Sequence, residues 1–433
     1  MLEAPTTSRA AQITIWRGFM RNSLGTVVAV VARAVGALLL NKLFATHAPA
    51  GGLTLLAQFQ NLMALFTTLP NDGVHVGVVK YLAPLRPGSP RYRLWLGAAA
   101  GLNAAALLAG TLVLAARGLL GWNWGSVVLF VVGIGLLTAQ GLLGAALLAA
   151  GKLRAYVALS VSVAVCGTGA AAATLLGGAP LEFVLLAYLL AQGLTVLPAV
   201  ALAARAGLLR HLRLRARISR VALRGLSQFL LMAVSTLVFG KAVDYVLRDY
   251  LLATFGPART DLWQAVAKLS DNYTMVFAAV MSSVFYPRLA ALGGQPRAAR
   301  SYLRSVLLLL APVLALGLGL IFACRNWLLP LLFAPQLLGA RELLGPQLVG
   351  DWAKFLSWLF IFQLAARART GSYVAVQAAS AAVFAVLLAV LLPRYGLQGA
   401  VLAHAGRYGL VLAACLGLHW SGKTGASSAT YQE

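Results

Sequence analysis

Apolar runs of about 20 residues recur along this chain, each long enough to cross ~30 Å of hydrocarbon as a helix. With 61% hydrophobic residues, only 10% charged and a mean hydropathy of +0.84, the 433 residues hold too little charge to cover a soluble globule. In lipid every backbone polar group must be bonded internally, and runs of this length achieve that as helices. Twelve spans are predicted, with cores at Leu24–Phe44, Leu53–Val74, Leu94–Ala115, Ser126–Leu148, Tyr156–Leu176, Phe183–Ala203, Leu226–Ala253, Asp261–Phe285, Leu303–Ala323, Pro346–Leu364, Ser372–Leu392 and Leu397–His419. The three cysteines, Cys166, Cys324 and Cys415, lie in apolar runs and imply no disulfide framework. The basic N-terminus (Arg9, Arg17, Arg21) precedes an uncleaved first helix.

The formal net charge of +25 would point to nucleic acid in a soluble protein. Here the excess of Lys and Arg in cytoplasmic loops explains it. With the N-terminus inside, 23 of the 35 Lys and Arg residues fall on inner segments. Six lie outside: Lys42, Arg117, Arg259, Arg325, Arg341 and Arg394. Both termini are then cytoplasmic. The longest loop, the Arg-rich stretch from Arg205 to Arg224, reads as a solvated linker near anionic headgroups. The expected organisation is an N-lobe over 1–205, a linker over 206–225, a C-lobe over 226–420 and a tail over 421–433.

An internal repeat supports that division. NKLFATHAPAG, ending at Gly51, aligns with DYLLATFGPAR, ending at Arg259, at a constant offset that also sets Arg33 opposite Lys241. The first and seventh helices run the same way, so the halves are parallel repeats, and transporters built this way bind substrate between them. The expected fold is an all-α integral membrane protein of twelve helices in two six-helix lobes around a central cavity.

Six cations fall inside the predicted spans: Arg33, Lys241, Arg248, Lys268, Lys354 and Arg407. A charge at the bilayer centre costs at least about 2.5–3.5 kcal/mol, so each should face a bundle interior or a wet cavity. Asp261, Gln264, Lys268 and Asp271 share one face of the eighth helix, as do Gln347, Asp351, Lys354 and Trp358 in the tenth. Lys241, Asp244 and Arg248 form a third stripe with Asp249 adjacent, and Asn61, Thr68, Asp72 and His75 a fourth. Local pairs (Lys241–Asp244, Asp244–Arg248, Lys268–Asp271, Asp351–Lys354) could neutralise each other as structural contacts. Arg33 and Arg407 have no local acid, however, and the cations project from several helices, which a shared anion-binding cavity explains. His75 and His404 read as satisfied polar residues. Asp72 has no cation on its own face and is the candidate for protonation coupling, with Asp244, Asp271 and Asp351 as further candidates for ion coupling or charge balance.

No P-loop, HExxH motif, Cys/His cluster or nucleophile elbow is present, so no catalytic residue, metal site or cofactor is assigned. A transporter, rather than an enzyme or a structural subunit, accounts for the intramembrane charges.

The run LWQAVAKLSDNYTMVFAAVMSSVFYPRLAAL in the eighth helix, PQLVGDWAKFLSWLFIFQLAARA in the tenth, and LAQFQNLMALFTTL with GVVKYLA near the N-terminus resemble the Wzx polysaccharide flippases. Trp263, Asp271, Pro287, Asp351 and Lys354 carry most of that likeness, while Pro70-Asn71-Asp72 departs from it. Within that group the chain is similar to the enterobacterial common antigen (lipid III) and O-antigen translocase branch. The resemblance implies the two-lobed fold of the multidrug/oligosaccharidyl-lipid/polysaccharide (MOP) exporters, a Gram-negative inner membrane and an undecaprenyl-diphosphate-linked oligosaccharide as substrate. Partners would be that substrate, membrane lipids and polymerase or chain-length proteins of the same pathway, with no nucleic acid. Arg and Lys suit the diphosphate; Trp263, Tyr273, Trp352 and Trp358 could stack on sugars. An ion-coupled multidrug extruder of the same superfamily and a lipid II flippase are the competing readings.

Overall fold

The computed structural model describes residues 31–117, 123–209, 219–285, 288–289, 292, 295–366 and 370–420. Leu24, Arg9, Arg17, Arg21, linker residues 210–218, Pro287, Arg367, Arg369 and the tail 421–433 lie outside the described residues, as do the side chains of Asp72 and Arg117.

The described chain is all-helical. After α1 (residues 31–47) come α2 (Gly52–Thr68), a π-helical segment (Leu69–His75) and α3 (Val76–Leu82), which run on without a break. Next are α4 (Pro90–Arg117), α5 (Trp124–Ala149), α6 (Leu153–Leu176), α7 (Leu181–Leu194) and α8 (Val196–Arg205). The second half begins with α9 (Arg220–Thr236), a π segment (Leu237–Ala242) and α10 (Val243–Phe255). It continues with α11 (Pro257–Val280), a π segment (Met281–Phe285), α12 (Pro296–Ala323), α13 (Arg325–Leu332), a 3₁₀ turn (Pro335–Ala340), α14 (Arg341–Ala366), α15 (Thr370–Tyr395) and α16 (Leu397–Trp420). Among the described residues, eight candidate spans are long and apolar enough to cross a membrane.

Local chemistry sets the ends. Asn123 caps α5 by accepting from the Ser126 N–H at 2.8 Å. Gly151 (φ 70°) closes α5: the Lys152 N–H reaches back to the Leu147 carbonyl and the Gly151 N–H to Leu148, the double bond of a Schellman cap. Pro70 opens the first π segment, where a missing N–H and a crowding ring disfavour regular α geometry.

Apolar packing falls into four buried clusters. In the first half, Leu40, Phe44, Phe59, Phe130 and Leu189 form one, and Val78, Leu82, Tyr92, Leu147 and Leu226 another. In the second half, Leu251, Val266, Phe333, Phe384 and Val401 form the third, and Phe277, Phe285, Leu303, Phe355 and Leu359 the fourth. Leu226 of α9 thus belongs to a first-half cluster, and Leu53 of α2 to a second-half one. Around these cores large apolar side chains face outward, as lipid contact requires: Leu316 is 78% exposed and Leu112 67%.

Candidate substrate-binding site

In α14 the stripe Gln347, Asp351, Lys354 turns its charges inward, and Asp351 is fully buried. Its carboxylate is a hub. Lys354 Nζ lies 2.9 Å from Oδ1 and His404 Nε2 3.1 Å from the same oxygen. Ser270 Oγ donates to Oδ2 at 2.7 Å, Gln347 Nε2 at 3.3 Å, and the Tyr273 hydroxyl makes a short bond there too. Three elements therefore converge on one buried charge: α11, α14 and α16. The approach of α16 depends on Gly350, where a Cβ would come within 2.4 Å of His404 Cδ2. Lys354 also donates to Thr274 Oγ1 at 2.9 Å and lies 5.1 Å from the Phe355 ring and 5.8 Å from Trp358. One turn beyond His404, buried Arg407 donates through Nε to Ser380 Oγ at 2.7 Å, with Phe384 and Tyr408 flanking it.

A second group of cations sits on α11 and the α9–α10 stretch. Buried Arg248 donates through Nε to Gln264 Oε1 at 2.7 Å and lies 5.9 Å from the Trp263 ring. Its Nη1 and the Gln264 Nε2 are buried without a hydrogen-bond partner among the described residues. Lys268 donates to Gln60 of α2 and is within electrostatic reach of Asp271, Arg248 and Lys241. Lys241 is half-buried, and its carbonyl accepts from Asn61 Nδ2 at 3.1 Å. Exposed Asp271 is within electrostatic reach of Arg248, Lys268 and Lys354, so it stands between the two groups.

Of the four expected local pairs, Asp351–Lys354 forms. The other three do not: the ion pairs within 4.0 Å among the described residues both involve Asp351. Lys268 turns to Gln60 instead of Asp271, and Asp244 is exposed. For Lys241 and Asp244 the π segment ending at Ala242 changes the residue spacing per turn, so the i, i+3 pattern no longer predicts proximity. Asp261 accepts from the Gly51 N–H (2.7 Å), the Thr54 N–H (2.8 Å) and the Thr54 hydroxyl (2.5 Å), which ties α11 to the start of α2. Two proposed sugar-stacking aromatics are tied to protein: Trp352 Nε1 donates to the Ala311 carbonyl at 2.9 Å, and Tyr273 is held by Asp351.

Arg33 stands elsewhere. It is exposed on α1 and lines a first-half cavity of about 580 Å³ with Asn71, His75, Gln140 and Gln192. His75 Nε2 lies 3.1 Å from Asn103 Nδ2. The uncharged glutamines Gln60, Gln140 and Gln192 were not singled out in the sequence, since an isolated amide in an apolar helix gives no pattern. For Gln60 a signal did exist: it is the repeat-equivalent of Lys268.

No family model matches the chain. It is 28% identical over 405 residues to the lipid III flippase of Escherichia coli strain K12, covering 92% of this chain and 97% of that protein. Its fold superposes on lipid II flippase MurJ in an inward closed conformation with a TM-score of 0.68 at 11% identity, over 92% of this chain and 87% of that one. It superposes on the Vibrio cholerae MATE transporter VcmN in the bent form with a TM-score of 0.66 at 12% identity, over 95% and 98%. The resemblance to flippases of the MOP superfamily, read from the eighth and tenth predicted helices, therefore extends along nearly the whole chain, on a fold shared with MATE transporters and MurJ.

Proposed function

We propose that this protein is a flippase for an undecaprenyl-diphosphate-linked oligosaccharide, an enterobacterial common antigen lipid III or O-antigen unit. It moves that lipid from the cytoplasmic to the periplasmic leaflet of a bacterial inner membrane. The observation that carries this reading is the likeness to lipid III flippase over 97% of that protein's length. The interior chemistry supports it. Arg248 keeps a buried donor without a hydrogen-bond partner among the described residues, and Lys241, Lys268, Lys354 and Arg407 lie near it or near the Asp351 hub, a set suited to a diphosphate. A multidrug extruder that collects cations needs an acidic interior, whereas the buried Asp351 is already matched by Lys354.

The working cycle is alternating access between two lobes of six helices each, twelve spans in all, with both termini cytoplasmic. Arg33, Lys241, Arg248, Lys268, Lys354 and Arg407 bind substrate, while Asp72, Asp244, Asp271 and Asp351 balance charge or couple an ion. In that orientation the contacts between Asp261 and the Gly51–Thr54 turn, and between Lys42 Nζ and the Pro330 and Leu331 carbonyls (both 2.9 Å), lie on the periplasmic side. The reading is tested in proteoliposomes by following the transbilayer movement of undecaprenyl-diphosphate-linked oligosaccharide. Movement that depends on the protein, and falls at least tenfold in Arg248→Gln and Lys354→Gln at equal reconstitution, supports it. Absence of protein-dependent movement refutes it.

A further inference from the structure

The first-half cavity differs in chemistry from the cation groups around Arg248 and Lys354. Its described lining carries one cation, Arg33, and no carboxylate; the other polar liners include Asn71, His75, Gln140, Tyr156 and Gln192. His75, Gln140 and Gln192 are 8%, 9% and 8% exposed, so these groups are enclosed by protein. No protein group among the described residues hydrogen-bonds to the Gln140 side chain, or to that of Asn71, which is exposed at the cavity mouth. A buried amide such as Gln140, without a protein partner, needs a polar occupant. The floor is kept open by Gly141, where a Cβ would come 2.7 Å from His75 Cε1 and 3.3 Å from Asn71 Oδ1. The volume, about 580 Å³, suits a small organic ligand rather than a single ion.

A diphosphate would call for several cations and a coupling cation for carboxylates; this cavity offers neither. Side-chain amides each present two donors and an acceptor, the complement of hydroxyl and acetamido groups on a neutral pyranose. The liners from α1, the first π segment, α5 and α6 lie toward the ends of those helices that the positive-inside count assigns to the cytoplasm. We infer that this cavity is a sugar subsite, which takes the neutral sugar next to the diphosphate on the cytoplasmic side, with Arg33 at the phosphate end. This inference rests on the flippase reading above and adds where the carbohydrate is recognised.

The test is binding of two probes to the purified full-length protein in nanodiscs: undecaprenyl diphosphate carrying one N-acetylglucosamine, and undecaprenyl diphosphate without sugar. Wild type should bind the glycosylated lipid about fivefold tighter or more, the worth of one or two neutral hydrogen bonds. Gln140→Leu and Asn71→Leu, made separately so that one misfolded variant does not decide the matter, should bring the ratio close to one while leaving affinity for the bare lipid unchanged. Lys354→Gln should weaken both lipids together. Equal wild-type affinity for the two probes overturns the sugar subsite and leaves the flippase reading intact. An unchanged ratio in folded Gln140→Leu and Asn71→Leu, or an equal loss for both lipids, also overturns it. Failure of wild type to bind either lipid refutes the flippase reading, and the subsite with it.

Discussion

Lys268 donates a hydrogen bond to Gln60, the residue 208 positions before it. The internal repeat of the sequence has the same offset, so two repeat-equivalent side chains touch each other across the halves. A pair related in this way lies where an axis relating the repeats would pass. The ammonium at that point is held by a neutral amide, and it forms no ion pair within 4.0 Å with the carboxylate one turn away.

The Gln60–Lys268 contact leads to a double-variant experiment. Lys268→Ala should abolish surface-polysaccharide complementation at normal membrane abundance. Adding Asp271→Ala should not restore it, because no ion pair joins the two side chains. Gln60→Leu should reduce transport, since a partly buried ammonium loses its acceptor at a cost of up to about 1.5–3 kcal/mol. Recovery in the Lys268→Ala, Asp271→Ala protein would return Lys268 to a purely structural role.

Removing the Asp351 carboxylate should destabilise strongly, because Lys354 is left charged and buried with Thr274 as its one side-chain hydrogen-bond acceptor among the described residues. About 3–5 kcal/mol is expected for Asp351→Leu. Combining it with Lys354→Met should regain most of the detergent-solubilised melting temperature but none of the flipping. Thermal unfolding and reconstituted transport, measured on the same preparations, separate the two effects.

Gly350→Ala tests the packing that brings His404 to Asp351. The added methyl would meet His404 Cδ2 at 2.4 Å and the Ala405 backbone at 2.9 Å, so α14 and α16 must separate. Overpacking of this kind costs about 1–3 kcal/mol. The expected result is a lower melting temperature; an unchanged one would mean that the helices part at no cost.

Asp261→Asn weakens the tie between α11 and the start of α2, since an amide accepts less strongly than a carboxylate from the Gly51 and Thr54 N–H groups. In a background without the three native cysteines, a cysteine at Ala50 should react faster with an impermeant maleimide when Asp261 is Asn. Equal rates would show that this tie does not hold that end closed.

The energy source is open to direct measurement. A diphosphate carries roughly two negative charges, and outward movement runs with an inside-negative potential. At about 2.3 kcal/mol per charge per 100 mV, ~150 mV supplies on the order of 7 kcal/mol. A potassium–valinomycin potential alone should accelerate flipping in proteoliposomes. Indifference to it, with a response to a pH or sodium step, would assign the work to ion antiport.

The long apolar runs were legible because period and length are written in side-chain type: α5, α6 and α12 fall where hydropathy places them. The hub at Asp351 was half legible. Its i, i+3 partner Lys354 follows from helical spacing, but Ser270, Tyr273 and His404 arrive from other helices, and no local pattern encodes them. The π segments were invisible except for Pro70, since a wider turn has no composition of its own, and they spoiled the expected pairing of Lys241 with Asp244. The amide-lined cavity escaped notice because Gln140 and Gln192 lie on different helices and carry no charge.

Gly73 and Gly77 form a notch on the face of the first π segment and α3, and α9 fills it: a Cβ on Gly73 would meet Leu230 at 3.0 Å, and one on Gly77 would meet Leu226 at 2.5 Å. On the neighbouring face, Gly225 of α9 lies close enough to Trp95 that a Cβ there would come within 2.6 Å of the ring. The order of synthesis gives this lock a consequence. The first half leaves the ribosome before α9, so its notch stays open until the chain beyond the linker has entered the membrane. A nascent chain stalled at the linker is therefore an incomplete object with a lipid-filled groove, and a synthetic α9 segment supplied separately should bind there and raise its resistance to protease.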